Sequence, residues 1–426
     1  MPSVPLTRNQ RRGFWAAWGG WALDGMDSFI YALVLVPVLR DLLPRSGLAA
    51  TAAHLGYYGS ALFATFLMGW GCAFLWGPLA DRFGRVRTLV LTILCYSVFT
   101  FLGCAAANIW QLAIFRFFAG AGIGGEWTLG GVFVAEEWPE SRRVQGAAWM
   151  HTGYYAGAFL AALVNSTIGA RYGWRAVFAV GGTPALLVAL IRYGVAEPKR
   201  WQQRAAAMGR TWSARAAFLA LFSAEYRRRT VVNAALLFVS MVGLWAGSVY
   251  VPSSVTELAG RAGYTAQAAA RLASYATMLL STGTIGGCLL LPFLAVRLGR
   301  RASLALYFVL MFLCIAVGFG YLFYLPSGAL EWFLPCLFLL GIGGANFAVY
   351  TLWLPEQYRT ECRGSAFAFA TSAGRFLAAG ITFLVGGGIA AMHTIGTPVA
   401  LTSVAFLVGL ALLPWAEETK GKELPA

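Results

Sequence analysis

Charge is scarce in this chain. Asp, Glu, Lys and Arg make up 12% of its 426 residues and hydrophobic residues 59%, where soluble domains carry roughly a quarter of their residues as charges. That excludes a water-soluble fold built around one buried core. Histidine is scarcer still: His54, His151 and His393 stand far apart. With no H-E-x-x-H or G-x-S-x-G pattern, the usual hydrolytic signatures are missing and nothing points to an enzyme. The seven cysteines (Cys72, Cys95, Cys104, Cys288, Cys314, Cys336, Cys362) lie mostly inside apolar runs and show no C-x-x-C or metal-finger spacing. They imply neither a disulfide framework nor a metal, and no cofactor is called for. The basic start (Arg8, Arg11, Arg12) precedes an apolar stretch that is too long for a signal peptide, holds two Asp and lacks a cleavage site. It reads as a retained first helix.

What the chain does have is apolar runs long enough to cross hydrocarbon, which takes about 20 helical residues at ~1.5 Å rise each. Twelve spans are expected, near 14–38, 55–79, 88–107, 109–135, 145–169, 174–194, 231–255, 270–296, 303–324, 332–354, 365–392 and 396–415. The formal charge of +15 sits in the short loops between them, so it is a topology signal and not a nucleic-acid footprint. With the N-terminus inside, the inner segments hold 24 of the 32 Lys and Arg, and the outer loops hold six. Both termini are therefore expected to be cytoplasmic.

The longest polar stretch, 196–229, divides the spans six and six and reads as a basic amphipathic linker lying on the anionic inner leaflet. An internal repeat supports the division. Gly122-Ile123-Gly124-Gly125 is echoed by Gly341-Ile342-Gly343-Gly344, each followed by an acidic turn (Glu136, Glu137; Glu356) and a glycine opening the next helix (Gly146; Gly364). The turn Arg82-Phe83-Gly84-Arg85 is echoed by Arg297-Leu298-Gly299-Arg300. The expected fold is all-α, with twelve transmembrane helices in pseudo-symmetric six-helix bundles at 1–194 and 230–426 joined by a linker at 195–229. Such halves suit rocking about a shared site.

These motifs resemble the major facilitator superfamily along the whole chain. The turn Gly77-Pro78-Leu79-Ala80-Asp81-Arg82-Phe83-Gly84-Arg85 is similar to its signature between the second and third helices, where an Asp and Arg network latches the cytoplasmic side. The resemblance implies latch roles for Gly77, Asp81, Arg82, Gly84 and Arg85, with Glu137 and Arg143 beside them. The run from Arg116 to Trp127 resembles the sialate and metabolite proton symporter branches, and Leu23-Asp24-Gly25-Met26-Asp27 resembles the acidic pair of the sialate and aromatic-acid branches. Glu197-Pro198-Lys199-Arg200-Trp201 bears a short likeness to the sugar-porter ending. The second copy of the latch signature has Val296 where the first has Asp81, so an asymmetric latch carried by the first half is expected. The resemblance implies a carrier in a bacterial inner membrane.

Ionisable groups within spans cost ~2.5 to 3.5 kcal/mol each on insertion scales and need a reason to be there. Five stand out: Asp24 and Asp27 in the first span, Arg116 and Glu126 in the fourth and Arg375 in the eleventh. Asp24 and Asp27, three residues apart, share a face with Gly20 and Tyr31. In low dielectric both cannot easily ionise, which suits proton coupling; pairing with a buried Arg or capping a helix break near Gly25 is the plainer reading. Arg375 suits an anionic cargo because its planar fork holds a carboxylate by parallel hydrogen bonds, unless it is spent on a first-span carboxylate. Arg116 is expected to serve substrate approach, proton transfer or structure. Glu126 is expected either to couple protons or to pair with Arg82 or Arg85. Polar positions that suit a cavity lining include Tyr57, Tyr58, Tyr154, Tyr155, Asn165, Trp245, Tyr250, Asn346 and Tyr350. Of these, Tyr154, Tyr155 and Asn346 rank first for substrate binding, together with Tyr31.

The expected activity is proton-coupled symport of a small organic anion, such as a monocarboxylate, sialic acid or aromatic acid, by alternating access. The expected partners are that solute, protons and the lipid bilayer, with no nucleic acid and a monomeric carrier. Proton-driven efflux of cationic or amphipathic compounds and a non-transporting membrane sensor are the alternatives.

Overall fold

The computed structural model describes residues 5–183, 196–197, 201–203 and 214–425. The side chains of Asp81 and Trp245 and part of the basic linker (195, 198–200 and 204–213) lie outside the described residues. Among those described, every regular element is helical. In chain order they are α1 (Arg8–Arg45), α2 (Ala52–Gly71), α3 (Trp76–Phe83), α4 (Arg85–Gly103), α5 (Ile109–Glu137), α6 (Glu140–Val164), α7 (Ala170–Gly181) and α8 (Ala214–Ala220). There follow α9 (Arg227–Ser248), α10 (Val251–Arg261), α11 (Ala266–Arg297), α12 (Arg300–Gly320), α13 (Ala329–Gly344), α14 (Asn346–Trp353), α15 (Arg363–Met392), α16 (Gly396–Leu401) and α17 (Val404–Leu412).

Eight helical segments among the described residues are long and apolar enough to cross a membrane. The remaining expected spans fall on α5, diluted by glycine, Arg116 and Glu126; on α6; on α9 and α10; and on α7, with the rest of that expected span, 184–194, outside the described residues. Leu306, Val309, Leu313 and Val317 form an exposed stripe along α12 at helical spacing, the face such a helix turns to lipid. α1 runs unbroken through Gly25, so its acids do not cap a helix break.

Helix starts follow from local chemistry. Thr7 opens α1 with a capping box to Gln10, and Thr51, Asn108 and Thr265 each accept a hydrogen bond from the backbone N–H three residues on. Gly84 (φ +114°) and Gly299 (φ +89°) make the sharp turns before α4 and α12, where a side chain would be strained. These turns, with Arg82, Arg85, Arg297 and Arg300, mark the basic end of the molecule.

Glycines at the GIGG repeat, Gly120 just before its first copy and Gly341 opening its second, have a packing role in both halves. A Cβ on Gly120 would fall 2.2 Å from the Phe66 carbonyl oxygen, and one on Gly341 2.2 Å from that of Leu280. Small residues thus let α5 reach α2, and α13 reach α11, backbone to backbone. The α1 and α6 crossing is tighter: a Cβ on Gly157 would sit 1.6 Å from the Ala22 carbonyl oxygen. Because that obstacle is main chain, Gly157→Ala is expected to cost at least ~3 kcal/mol and to lower the monodisperse yield and melting temperature in detergent. Gly380→Ala, with nothing within 4 Å, is expected to be neutral or stabilising.

Candidate functional site

α1 carries Asp24 and Asp27 on the face that meets α4, α5 and α6, and both are fully buried. Their fates differ. The Thr100 hydroxyl donates to Asp27 Oδ1 at 2.7 Å, and Arg116 Nη1 donates to the same oxygen at 3.2 Å. Arg116 is steadied in turn by the Phe66 and Tyr31 rings, 4.2 and 5.1 Å from its guanidinium carbon. Asp27 is therefore committed. Asp24 has no hydrogen-bond partner at either oxygen, although Glu126, Asp27 and Arg375 all act on it electrostatically. Ser28, Tyr96, Ser97 and Tyr154 likewise have buried hydroxyls without close partners, so a cluster of unsatisfied polar groups surrounds the acid.

Glu126 belongs to the same polar cluster, acting electrostatically on Asp24. Thr92 donates to its Oε1 at 2.7 Å, while Oε2 has no partner and lies 2.3 Å from where a Cβ on Gly20 would stand. Gly20 is one turn before Asp24 on α1, so the acids line one path along that helix. The expected pairing of Glu126 with Arg82 or Arg85 is not formed: Arg85 turns to Glu136, and Arg82 is exposed, packed on the Phe83 ring.

Arg375, on α15, is 1% exposed and makes no ion pair within 4 Å among the described residues. Its guanidinium carbon lies over Trp70 at 4.1 Å and near Trp127 at 5.6 Å, while Nε and Nη1 have no hydrogen-bond partner. It lines a cavity with Trp21, Trp70, Trp127, His151, Tyr154, Tyr155, Met241, Leu244 and Phe347. In this conformation the cavity has closed to about 10 Å³, the space of about one water.

The expected binding residues divide accordingly. Tyr154 and Tyr155 line this cavity beside Arg375, with both hydroxyls unpartnered. Tyr31 does not; its hydroxyl donates to the Gly59 carbonyl, and its ring lines a second cavity nearer the opposite end. Arg116 is held by Asp27 and lines neither. Asn346 is turned to its own chain, donating to the Gly343 carbonyl at 2.9 Å, and Phe347 takes the cavity wall instead. The tryptophans and His151 escaped notice because an aromatic in a membrane chain reads first as packing or interface belt.

At the basic end the latch is built around a different acid from the one expected. Glu136, and not Glu137, accepts Arg363 Nη1 at 3.2 Å and Arg85 Nη2 at 3.5 Å. Its counterpart Glu356 accepts Arg143 at 3.4 Å and both Nε and Nη2 of Arg300 at 3.0 and 2.7 Å. Each acid thus holds the arginine of its own repeat turn and one from the opposite half. Among the described residues these contacts repeat across the halves; the asymmetry expected from Val296 turns on Asp81, whose side chain lies outside the described residues. Gly77 fits the latch in another way: a Cβ there would lie 2.8 Å from that of Ala368 and 2.9 Å from the Gly364 carbonyl oxygen, so it lets α3 approach α15.

Glu197 and Glu418 cover the helix starts beside the latch. Glu197 accepts the backbone N–H groups of Arg85, Val86 and Arg87 at 2.6 to 3.1 Å. Glu418 accepts those of Arg300 and Arg301 at 3.0 Å and of Thr419 and Lys420 at 2.9 Å. Partial burial opposes the Glu418 charge, but these donors outweigh it and hold its carboxyl below the usual glutamate range. A depressed folded-state pKa stabilises fully above the unfolded value of ~4.3, and that contribution is lost as pH falls through the folded value. Glu418→Gln is therefore expected to cost roughly 0.5–1 kcal/mol at pH 7 after solvent screening. In melts run from pH 7 to pH 3, its deficit against the parent protein should shrink once the pH drops below ~4.

The larger cavity, about 130 Å³, lies towards the opposite end, between α1, α2, α10 and α15, and reaches inward to Tyr31 and Phe63. Near it, among the described residues, the halves are joined by a weak polar contact, Ser60 to Tyr250 at 3.3 Å. Towards the basic end Trp127 closes the path, donating to Thr351 at 2.8 Å with its ring against Phe367. The conformation is thus sealed at the basic end and hollow at the other.

Comparison with known proteins bears on what such an arrangement does. The model of the Major Facilitator Superfamily matches residues 17–382. A probable 4-methylmuconolactone transporter of Cupriavidus pinatubonensis is 30% identical over 424 residues, covering 97% of this chain and 91% of that protein. A sialic acid transporter of Escherichia coli is 32% identical over 192 residues, 45% of each chain. Among solved structures, a proton:xylose symporter bound to 6-bromo-6-deoxy-D-glucose aligns with TM-score 0.77 at 19% identity, covering 98% of each chain.

Proposed function

The chain belongs to the major facilitator superfamily and is a membrane transporter, and from that premise we propose that it carries a small organic anion, a carboxylate, together with protons by alternating access. One observation carries the reading: Arg375 and Asp24 are buried within electrostatic reach of each other, and each keeps polar atoms without a partner. A buried guanidinium with free nitrogens is costly unless something binds it, and a planar carboxylate satisfies its fork. Asp24 is the proton carrier. Protonated, it releases Arg375 to the anion; ionised, it competes for the same cation and lets the empty carrier return. Glu126, one turn towards the basic end, is the next acid on the proton's way, while Asp27 and Arg116 hold the N-terminal bundle together.

The names of the relatives, a 4-methylmuconolactone transporter and a sialic acid transporter, favour an organic acid. Arg375 on the cavity wall weighs against efflux of cations, which it would repel. The basic loops favour a bacterial inner membrane with both termini cytoplasmic, the halves divided near 195–229 and the carrier acting as a monomer. The latch end is then cytoplasmic, and the conformation faces outward. The test is uptake of labelled carboxylates into proteoliposomes under an imposed pH gradient, acid outside. Concentrative uptake that a protonophore collapses is expected; no gradient-dependent uptake across a broad carboxylate panel would remove the reading.

A further inference from the structure

His151 is 2% exposed, sits on α6 one turn before Tyr155, and lines the same cavity as Arg375. Its ring lies parallel to Phe347, 6.2 Å away at 4°, and 5.7 Å from the Trp127 ring, which the Arg375 guanidinium carbon approaches to 5.6 Å. One edge of the imidazole is occupied: Nδ1 faces the Thr351 hydroxyl at 3.5 Å. That hydroxyl already accepts the Trp127 indole N–H, and its own proton has two acceptors within reach, the Phe347 carbonyl oxygen at 3.4 Å and His151 Nδ1. The other edge, Nε2, is buried with no partner. If Thr351 gives its proton to Phe347, Nδ1 carries the imidazole hydrogen and Nε2 is an acceptor; if it gives the proton to Nδ1, Nε2 is a donor. Either way a hydrogen-bonding atom is left unsatisfied in the cavity that holds the unsatisfied nitrogens of Arg375.

We propose that His151 is the specificity residue of this site, hydrogen bonding through Nε2 to a second polar group of the cargo, away from the carboxylate on Arg375. The class so selected is a carboxylate that also carries a hydroxyl, a ring heteroatom or a carbonyl, because a site built to satisfy a polar group rejects the analogue that lacks it. The inference rests on the anion-carrier reading above. It adds that His151, on the first half, meets Thr351 and Phe347, on the second, so the cargo's far end is read where the halves touch.

The probes are benzoate and its 3- and 4-hydroxy derivatives, flat carboxylates suited to aromatic walls, titrated calorimetrically into the purified full chain. The unmodified protein is expected to bind the better hydroxybenzoate about tenfold more tightly than benzoate, the size of one net hydrogen bond. In His151→Leu that ratio should fall to within about twofold, and in His151→Gln, which keeps a polar edge, most of it should return. Equal binding of all three probes by the unmodified protein, which needs no variant to fold, overturns the assignment, as does an unchanged ratio in His151→Leu. Binding of benzoate that depends on Arg375 but ignores the hydroxyl removes His151 alone; failure of all three carboxylates to bind removes the anion-carrier reading with it.

Discussion

Arg375→Met is expected to abolish carboxylate binding and uptake while leaving the purified protein as stable as the parent, or more so. Two magnitudes decide this. Resting over Trp70 at 4.1 Å, the guanidinium gains up to ~2 kcal/mol from the ring. Against that stands the cost of burying a cation whose Nε and Nη1 find no acceptor, several kcal/mol even after relaxation. Methionine keeps most of the volume and removes the penalty, so the melting temperature should hold or rise. The loss of function is of another order. A bidentate charge-assisted contact is worth about 1.5–3 kcal/mol per hydrogen bond, so affinity should drop a hundredfold or more. Arg375→Lys keeps a charge but not the fork and should lose at least tenfold. Calorimetry for binding, proteoliposome flux and a detergent melt check the set together. If Arg375 only braced the fold, breaking a buried pair would lower stability by ~3–5 kcal/mol, and a large fall in melting temperature accompanying the loss of flux would decide against a substrate role.

The helices and their repeat were legible because hydrocarbon enforces a simple rule: twenty apolar residues make a span, and charges collect between spans. Gly122–Gly125 and Gly341–Gly344 announced both the duplication and the close contacts that the glycines make. The buried ionisable residues were equally visible, since a charge at that depth is rarely accidental. What no linear pattern separates is one acid from its neighbour. Asp24 and Asp27 look alike in sequence, yet Thr100 and Arg116, contributed by α4 and α5, satisfy only the second. Likewise Glu136 and Glu137 are adjacent, and only helical phase and the approach of Arg363 from the far half choose between them.

The two ends of the molecule differ in the strength of their closure. The basic end is held by charge-assisted contacts of Glu136 and Glu356, backed by the hydrogen bond from Trp127 to Thr351. The other has hydroxyl and amide contacts at 3.3 and 3.4 Å beside an open hollow. Hydrogen bonds between neutral groups are worth roughly half of those involving ions, so among the described residues the basic end is the more strongly closed. To pass cargo, the carrier must offset that difference with interactions made in the central cavity, and Trp127 joins the two: it walls the cavity and bonds to the second half.

Asp24→Asn is expected to uncouple the carrier without unfolding it: pH-driven accumulation should disappear while exchange of labelled for unlabelled cargo continues. Asparagine copies the protonated acid in size and charge. Asp24 has no close hydrogen bond to lose, and the amide can still meet the neighbouring Tyr96 hydroxyl, so the substitution chiefly removes the option of ionising next to Arg375. A carrier fixed in that form can load and release the anion but cannot return empty, because the ion pair that would free the site of cargo no longer forms. Accumulation under an acid-outside gradient should therefore fall at least tenfold and exchange should change less than about threefold, with no dependence on the gradient. Asp27→Asn is the informative contrast. It strands the buried charge of Arg116, whose Nε and Nη2 already lack partners, and should cost ~3–5 kcal/mol of stability, taking both exchange and accumulation down with the folded protein. Flux assays in the two modes, run beside melts of both variants, separate these outcomes. Undiminished gradient-driven accumulation by a well-folded Asp24→Asn protein would move the proton elsewhere, with Glu126 the next acid to test.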